Sequence, residues 1–253
     1  MQTKTVIFAD LDGTLLDEKY EYKTTKPIVD KLTALGGSVV FCSSKTRSEI
    51  EYYRKKVNLN EPFISENGAV IFIPKNYFPF SYPCTKTHSY NTITLGTPYA
   101  SLRQKLAQIK RKTAAKIIGF GDMTIEELAK DTGLSLGLAQ LAKKREHDEP
   151  FKLLEGSKTE ILNAIKKEGL SCTEGGRYFH LTGNTDKGKA TAVLKNLYCQ
   201  MFGKVETFGI GDGPNDLPML KVVDKPFLIK KTSGFNANLT AWQRILQLVG
   251  AKK

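Results

Sequence analysis

Two aspartates follow the first apolar segment of the chain at a spacing that suits catalysis or metal binding. The segment DLDGT, residues 10–14, comes directly after Thr5–Ala9, a short uninterrupted apolar run. Such a run is typical of a strand buried on both faces of a parallel sheet. Carboxylates at positions i and i+2 beyond that strand can point into the crevice where open α/β sheets bind ligands. We therefore interpret Asp10 and Asp12 as candidate functional residues.

A second acidic pair follows another apolar strand late in the chain. The segment GIGDGPND, residues 209–216, places Asp212 and Asp216 after the predicted strand Thr207–Ile210. Its glycines superficially resemble a dinucleotide-binding loop. The third glycine of that fingerprint is missing, however, and acidic groups at this position would repel a pyrophosphate. The pattern therefore argues against a dinucleotide as the ligand.

Two further segments offer hydroxyl and cationic groups where predicted helices begin. CSSKTR, residues 42–47, ends the second apolar strand, and hydroxyls with backbone N–H groups at a helix N-terminus form a natural anion site. An ordinary N-cap is the alternative interpretation. DKGK, residues 186–189, opens a later helix with Asp186 as its cap. Lys187 is then free to project toward the crevice, although a lysine in a first turn is usually only solvated.

The four segments together place four carboxylates and one lysine around a single crevice. At a separation of ~4 Å, two like charges repel by roughly 4 kcal/mol at an effective dielectric constant near 20. A hard divalent cation relieves this repulsion, and a mixture of carboxylate, carbonyl and water ligands suits Mg²⁺. Four independent acidic loops are the structural alternative. The sequence therefore predicts a Mg²⁺ site at the ends of the strands.

The elements that must position these groups alternate between strands and helices at both ends of the chain. Residues 1–82 and 184–253 show the rhythm of a doubly wound α/β domain with a parallel sheet, which we predict as a catalytic core. Residues 83–183 interrupt it with a pattern typical of a smaller α+β domain, which we predict as a cap that sets specificity. The predicted fold is therefore an α/β core with an inserted α+β cap.

Composition restricts the partners and the compartment. The chain of 253 residues carries a formal net charge of +12, but the basic residues are spread along it without a basic tail. This distribution favours an anionic small molecule over nucleic acid as the partner. The sequence contains no apolar run of the ~20 residues that a membrane span needs. Four scattered cysteines and the lack of a signal-peptide pattern predict a cytoplasmic protein. We expect a monomer or homodimer, an expectation that does not follow from these features.

In their order along the chain, the four segments resemble the signatures of the haloacid dehalogenase phosphohydrolase superfamily. The insert lies between the second and third signatures, where Cof-like members carry a large α/β cap. A narrower similarity, to the mannosyl-3-phosphoglycerate phosphatase family, rests on KREHDEPF (144–151) and on GGRYFHLTG (175–183) just before the third signature. The stretches SSKTR (43–47), EIEYYR (49–54) and SENG (65–68) agree with it.

The resemblance implies a role for each core residue. Asp10 would attack phosphorus and form an aspartyl-phosphate, and Asp12 would act as general acid and base. Ser43 and Lys187 would hold the phosphoryl oxygens, with Ser44 able to exchange roles with Ser43. The Mg²⁺ ligands would be the Asp10 carboxylate, the Asp12 main-chain carbonyl and Asp212. Asp216 and Asn215 would lie behind them, linked through water or Lys187, with Asp216 as a direct ligand the alternative.

The resemblance also implies a substrate, 2-O-(α-mannosyl)-3-phosphoglycerate, which hydrolysis would convert to mannosylglycerate. Arg145 and Arg177 would pair with the glycerate carboxylate, and Glu149 and His180 would bind mannose hydroxyls. There are two structural alternatives. Arg145 and Glu149 could form a solvated ion pair at a helix end, and His180 could have its hydrogen bonds satisfied within its sheet. The core side would add contacts from Lys45, Arg47, Asn67, Ser44 and Asn215.

Other functions remain open from the sequence. A sugar-phosphate or phosphoglycolate phosphatase of broader specificity would use the same core. A phosphomannomutase-like phosphotransferase would pass the phosphoryl group to a second hydroxyl instead of water. A non-catalytic protein that binds nucleic acid or another partner on this fold is the alternative from a different class.

Overall fold

A parallel sheet forms the centre of the molecule. The computed structural model describes residues 3–229 and 236–251. The sheet contains β1 (Lys4–Ala9), β2 (Ser38–Phe41), β11 (Val205–Gly211) and β12 (Lys225–Leu228). Its strand order is β12-β11-β1-β2, and all neighbouring pairs are parallel. Because parallel strands end at the same edge, the loops that follow β1, β2 and β11 meet there.

An antiparallel extension continues this sheet beyond β2. It contains β3 (Phe63–Ser65), β4 (Val70–Pro74), β5 (Thr85–Lys86) and β6 (Tyr90–Thr94) in the order β3-β4-β6-β5. An isolated parallel bridge between Cys42, which follows β2, and Ile64 in β3 joins this extension to the central sheet. Residues 85–94 therefore pair with the core sheet, so the predicted cap boundary at residue 83 is too early. The prolines after β4 mark a loop within the core, not an exit from it.

Helices cover both faces of the central sheet. They are α1 (Lys26–Ala34), α2 (Arg47–Val57), α7 (Lys187–Phe202), α8 (Leu217–Val222) and α9 (Asn236–Gly250). Side chains of β1 alternate between the faces, as the strand period requires. Ile7 packs in a cluster with Ile50 and Trp242, whereas Phe8 packs in another with Leu194 and Met219. Thus α1, α2 and α9 lie on one face and α7 and α8 on the other.

The inserted unit has its own antiparallel sheet and its own core. Its elements are α3 (Tyr99–Thr113), β7 (Lys116–Gly119), α4 (Ile125–Thr132), α5 (Leu136–Ala142), β8 (Glu149–Glu155), α6 (Lys158–Lys167), β9 (Ser171–Glu174) and β10 (Phe179–Thr182). The strand order is β7-β8-β10-β9. Ile117 packs with α3 and α6, and Ile118 packs in a second cluster with α4 and α5. The predicted class, an α/β core with an inserted α+β unit, is confirmed.

Two further observations concern the helices and the cysteines. None of the helices in the described ranges is both long and apolar enough to cross a membrane. All four cysteines, Cys42, Cys84, Cys172 and Cys199, carry free thiols.

Candidate active site

Three carboxylates meet where two neighbouring strands end. Asp10 directly follows β1, and Asp212 and Asp216 follow β11, which pairs with β1 in parallel register. One carboxylate oxygen from each residue lies within 4.8 Å of the other two. The structure therefore brings together the first and the last of the acidic segments, as their positions after neighbouring strands predict.

Lys187 occupies the interior of this acidic cluster. It is the first residue of α7, and Asp186 caps that helix by accepting a hydrogen bond from the Lys189 backbone N–H at 2.8 Å. The Lys187 side chain is fully buried, and its Nζ donates to Asp10 Oδ1 at 2.7 Å and to Asp216 Oδ1 at 2.5 Å. One lysine thus holds two of the acidic groups in a fixed geometry.

Asp216 shapes the loop as well as binding the lysine. Its Oδ2 accepts hydrogen bonds from the backbone N–H groups of Asp212 at 3.0 Å and Gly213 at 2.9 Å. Both oxygens of Asp216 are thus engaged by protein donors. This arrangement supports an orienting role for Asp216, whereas direct ligation of a metal stays a prediction.

Burial and the charges of the cluster shift the pKa values of Asp10 and Lys187. Burial and the nearby Asp216 raise the pKa of Asp10 to about 8, although Lys187 opposes the shift and Asp12 adds to it. Burial would lower the pKa of Lys187, but the Asp10 and Asp216 carboxylates outweigh it and raise that pKa. A cation beside Asp10 would favour its ionised form, so the cluster is electrostatically suited to a divalent metal ion.

The loops that follow β1 and β11 pack closely, and this packing brings their carboxylate oxygens together. Gly13 has φ +72°, and a Cβ there would lie 2.5 Å from Asp212 Oδ2, so only glycine fits beside that carboxylate. The side-chain donors are all carboxylate oxygens, which suit a hard divalent cation. The residues present therefore fit a metal ion of this kind. Ligation by the Asp12 main-chain carbonyl remains a prediction.

Asp12 lies nearer the solvent than Asp10 and has a different partner. Its side chain is 44% exposed, and its Oδ1 lies 3.0 Å from Lys45 Nζ. Lys45 itself is buried and also approaches Glu49 at 3.5 Å. Burial would lower the pKa of Lys45, but Asp12 and Glu49 outweigh this effect and raise it. Lys45 thus positions the side chain that the sequence predicts as the acid and base.

A cavity of about 560 Å³ lies between the acidic cluster and the inserted unit. This volume is within the range typical of small-molecule sites. Predicted site residues from the core that line it are Asp10, Asp12, Ser44, Lys45, Asp212 and Asn215. The inserted unit contributes the predicted residues Arg145, Arg177 and His180. The structure thus gathers most of the predicted site around one space.

Six predicted residues are not among the described lining residues of the cavity: Lys187 and Asp216, whose contacts are given above, and four others that are held by other groups. Ser43 is fully buried, and its Oγ accepts from the Lys45 backbone N–H at 3.3 Å, while the adjacent Ser44 faces the cavity. Arg47 donates to Glu146 at 3.1 Å, outside the cavity. The other two are Asn67 and Glu149. Direct ligand contacts from Arg47, Asn67 and Glu149 are therefore not supported.

Glu149 belongs to the interior of the inserted unit. It accepts hydrogen bonds from Tyr99 Oη at 2.5 Å, Arg103 Nη1 at 2.7 Å and the Gly121 N–H at 3.1 Å. The predicted contact between Glu149 and a sugar hydroxyl is therefore wrong, and so is the alternative, an ion pair between Glu149 and Arg145. The reason is that the Glu149 side chain points into the unit, where Arg103 supplies the counter-charge.

The cationic side chains of the cavity wall are held by backbone carbonyls and by acidic groups. Arg145 donates to Ser44 O at 2.7 Å and lies 3.7 Å from Asp148 and 3.8 Å from Glu49. Burial opposes the effect of these carboxylates, which raise the pKa of Arg145. Arg177 is exposed and donates to Thr132 O at 2.5 Å. Both guanidinium groups stay oriented at the wall of the cavity.

Sequence reasoning missed three residues that organise the site. Asp148 is completely buried and contacts His180 Nδ1 at 2.8 Å. Glu66 accepts backbone N–H groups from the inserted unit. Tyr20 lines the cavity, and its hydroxyl accepts from Arg177 at 3.2 Å. Asp148 and Glu66 lie inside the quoted stretches KREHDEPF and SENG, so a search for buried partners could have found them, whereas Tyr20 carries no signal.

Buried Glu66 should make the stability of the fold depend on pH. Burial raises its pKa to about 7, with Asp148 adding to the shift and Arg145 and the His147 N–H opposing it. The folded state therefore binds the proton more tightly than the unfolded chain does. The resulting contribution to the free energy of unfolding is complete below about pH 4.5 and is lost as the pH rises through 7, a loss of about 3 kcal/mol.

Replacement of Glu66 with glutamine tests this dependence. Glu66→Gln should flatten the plot of unfolding free energy against pH between 5 and 8, measured by urea denaturation of the metal-free protein. Glu126→Gln, at an exposed position, serves as the matched control and should leave the slope unchanged. Parallel curves for Glu66→Gln and the unmodified chain would contradict the raised pKa.

Comparison with known proteins agrees with this geometry. Residues 7–233 match the haloacid dehalogenase-like hydrolase family. A glucosyl-3-phosphoglycerate/mannosyl-3-phosphoglycerate phosphatase of Methanococcoides burtonii is 46% identical over 237 residues, covering 91% of this chain and 86% of the relative. A mannosyl-3-phosphoglycerate phosphatase of Pyrococcus furiosus is 42% identical over 247 residues, covering 96% of this chain and 99% of the relative.

A solved structure shows the same fold at low sequence identity. A protein of Thermoplasma acidophilum superimposes with a TM-score of 0.66 and 17% identity, over 99% of both chains. The fold, the acidic cluster and the family match lead to the same assignment. The chain therefore belongs to the haloacid dehalogenase-like hydrolase family.

Proposed function

We propose that this chain is a Mg²⁺-dependent phosphatase that hydrolyses 2-O-(α-mannosyl)-3-phosphoglycerate to mannosylglycerate and phosphate. The observation that carries the proposal is the position of Asp10, beside a buried lysine and two further carboxylates at the base of a cavity of about 560 Å³. Both relatives described above are named as phosphatases of glycosylated 3-phosphoglycerates. We expect the enzyme in the cytoplasm, as a monomer or homodimer.

The core residues suit a two-step transfer. The Asp10 carboxylate forms a bond to phosphorus as the bond from phosphorus to the substrate oxygen breaks, and Asp12 gives that leaving oxygen its proton. Asp12 then takes a proton from the water that hydrolyses the aspartyl-phosphate. Lys187 and a hydroxyl of Ser43 or Ser44 stabilise the phosphoryl oxygens. The exposure of Asp12 to the cavity supports its proton-transfer role.

The proposed Mg²⁺ ligands are the Asp10 carboxylate, the Asp12 main-chain carbonyl and Asp212. Asp216 would contribute directly or through a water. Bound Mg²⁺ supplies positive charge that offsets the charge of the phosphoryl group and of the carboxylates around it. The protein contributes a fixed set of oxygen donors on two loops that Gly13 allows to pack closely.

The wall contributed by the inserted unit suits the rest of the substrate. Arg145 and Arg177 supply planar guanidinium groups for the glycerate carboxylate, for which bidentate pairing is favourable. His180 supplies a ring nitrogen for a sugar hydroxyl, and Lys45 adds positive charge at the entrance to the phosphoryl site. A glucosyl substrate is the second candidate, because the Methanococcoides burtonii relative is named for both sugars.

Phosphate release from a panel of phosphomonoesters tests the proposed function. The panel contains mannosyl- and glucosyl-3-phosphoglycerate, mannose 6-phosphate, glucose 6-phosphate and phosphoglycolate, each assayed with Mg²⁺ and with a chelator. We expect kcat/KM for a glycosyl-3-phosphoglycerate to exceed that for the simpler esters by about 10²-fold. Each hydrogen bond to a charged group that the simpler esters lose contributes about 1.5–3 kcal/mol. Chelation should abolish release.

The same panel distinguishes the alternatives. Comparable turnover of the sugar phosphates and phosphoglycolate would replace the specific assignment with a phosphatase of broad specificity. Formation of a sugar bisphosphate would indicate a phosphotransferase. Binding of nucleic acid that weakens steeply with salt, without phosphate release from any ester, would indicate a non-catalytic protein.

A further inference from the structure

A chain of hydrogen-bonded polar side chains crosses from the acidic loop to the wall of the inserted unit. Asn215 Nδ2 donates to Asn67 Oδ1 at 3.0 Å, and Asn67 Nδ2 donates to Asp148 Oδ2 at 2.8 Å. The same Asp148 oxygen lies 2.8 Å from His180 Nδ1. Asn215 and His180, the two ends of the chain, line the cavity. The two middle residues are buried and link both walls of the site.

The carboxylate of Asp148 determines which ring nitrogen of His180 carries the proton. A carboxylate only accepts hydrogen bonds, so Nδ1 of His180 must be the donor in this contact. Nε2 is then the acceptor of the neutral ring. It lies beside Gly175, where a Cβ would come within 2.9 Å of it, and Gly175 lines the cavity. His180 therefore offers a hydrogen-bond acceptor to a ligand hydroxyl.

The turn that carries Asn67 is fixed more firmly than an ordinary loop. Glu66, Asn67 and Gly68 have φ values of +47°, +57° and +91°, and a left-handed residue other than glycine persists only where its surroundings hold it. A Cβ at Gly68 would lie 2.1 Å from Asp186 O, so the turn packs against the start of α7. Thr185 Oγ1 also donates to Gly68 O at 2.8 Å.

The inserted unit is attached to the same turn. The Glu66 carboxylate accepts the N–H of Glu146 at 3.0 Å and that of His147 at 2.6 Å, immediately before Asp148. One rigid segment therefore contacts the acidic loop, the helix of the buried lysine and the segment that enters β8. A displacement of the Asp148 carboxylate would move His180 relative to the phosphoryl site.

We propose that Asp148 is a positioning residue that fixes His180 as an acceptor for a hydroxyl of the glycosyl group and, through Asn67, sets its distance from the acidic loop. The inference rests on the proposed function, because it concerns the part of the substrate beyond the phosphate. The positioning role of Asp148 differs from a purely structural role in one measurable consequence. Loss of Asp148 affects substrates that reach the inserted unit more than substrates that occupy the phosphoryl site alone.

Kinetics with a large and a small substrate test the proposal. Asp148→Asn keeps the size of the side chain but removes its charge, and Asn67→Gly removes the link to the core without straining the turn. For both variants the ratio of kcat/KM for mannosyl-3-phosphoglycerate to that for phosphoglycolate should fall, about 10- to 100-fold for Asp148→Asn. Glu146→Gln breaks a different contact between core and inserted unit, its ion pair with Arg47, and should leave the ratio unchanged.

The tautomer of His180 gives a second measurement that needs no substrate. Nitrogen-15 NMR of the free enzyme should show His180 protonated at Nδ1, with a His180→Gln variant to assign the signal. In Asp148→Asn the Nδ1-protonated population should fall, and in Glu146→Gln it should not. Protonation of the neutral ring at Nε2 in the unmodified enzyme, or an unchanged substrate ratio in both folded variants, would overturn the proposal.

The two measurements separate this inference from the proposed function. Hydrolysis of none of the glycosyl substrates, with His180 still protonated at Nδ1 and responsive to Asp148→Asn, would defeat the proposed function and leave the positioning geometry supported. Efficient hydrolysis with the opposite tautomer would defeat only the positioning role.

Discussion

Replacement of Asp10 with asparagine should reduce phosphate release by about 10⁴- to 10⁶-fold, the range expected when the nucleophile of a covalent mechanism is removed. The amide cannot attack phosphorus and is a poorer ligand for a hard cation. Its oxygen can still accept the hydrogen bond that Lys187 donates to Asp10 at 2.7 Å, so the geometry of the site should persist. Steady-state phosphate release at saturating Mg²⁺ measures the effect.

Stability measurements show whether a loss of activity in Asp10→Asn reflects chemistry or unfolding. Burial and the neighbouring Asp216 raise the pKa of Asp10, so the ionised form is disfavoured in the metal-free fold. The neutral variant should therefore unfold at an equal or higher urea concentration than the unmodified chain at pH 9 without metal. Asp30→Asn, at an exposed aspartate paired with Lys26, is the matched control and should keep full activity. Activity within tenfold of normal in Asp10→Asn would place the nucleophile elsewhere.

The backbone of the site could be predicted because parallel strands impose it. The sequence predicts the first strand over Thr5–Ala9, and the strand is found over Lys4–Ala9. Each signature segment follows a strand or begins a helix where an apolar run ends. Once Asp10 and Asp212 follow neighbouring parallel strands, their convergence is a consequence of topology. The local apolar patterns are therefore sufficient to predict the strands that bring Asp10 and Asp212 together.

The partners of the long side chains could not be predicted, because they depend on contacts between distant segments. Lys45 pairs with Asp12, and Glu149 pairs with Arg103, 46 positions earlier in the chain. A charge pattern in the sequence is compatible with many such pairings. The predicted start of the inserted unit, at residue 83, was misplaced for a related reason. The pairing of β6 with β4 joins distant segments and cannot be read from the composition of either strand.

The hydroxyl expected to bind phosphate illustrates an intermediate case. The strand that ends before residues 43 and 44 predicts that one of two successive serines faces the ligand, but not which one. Ser44 faces the cavity, whereas the Ser43 side chain is buried and bound by a backbone N–H. Because successive side chains point in different directions, an uncertainty of one residue changes the candidate.

Replacement of Lys187 with methionine should both inactivate and destabilise the protein. Lys187 is 1% exposed and lies between Asp10 and Asp216, so its removal leaves two buried carboxylates without a counter-charge. Breaking a buried ion pair in this way costs about 3–5 kcal/mol of unfolding free energy. Loss of a donor to the phosphoryl oxygens should reduce kcat by about 10²- to 10³-fold. Urea denaturation of the metal-free protein and phosphate release measure the two effects.

A second substitution identifies the carboxylates as the source of the instability in Lys187→Met. Lys187→Met with Asp216→Asn replaces one of the two carboxyl groups that lose their lysine partner, so part of the lost unfolding free energy should return while activity does not. Saturating Mg²⁺ should also restore part of it, because an ion that binds only the folded state stabilises that state. Lys189→Met replaces an exposed lysine of the same helix and should change stability by less than about 0.5 kcal/mol. If Lys187→Met lost no more than Lys189→Met, the lysine would not be the counter-ion that holds the acidic cluster together.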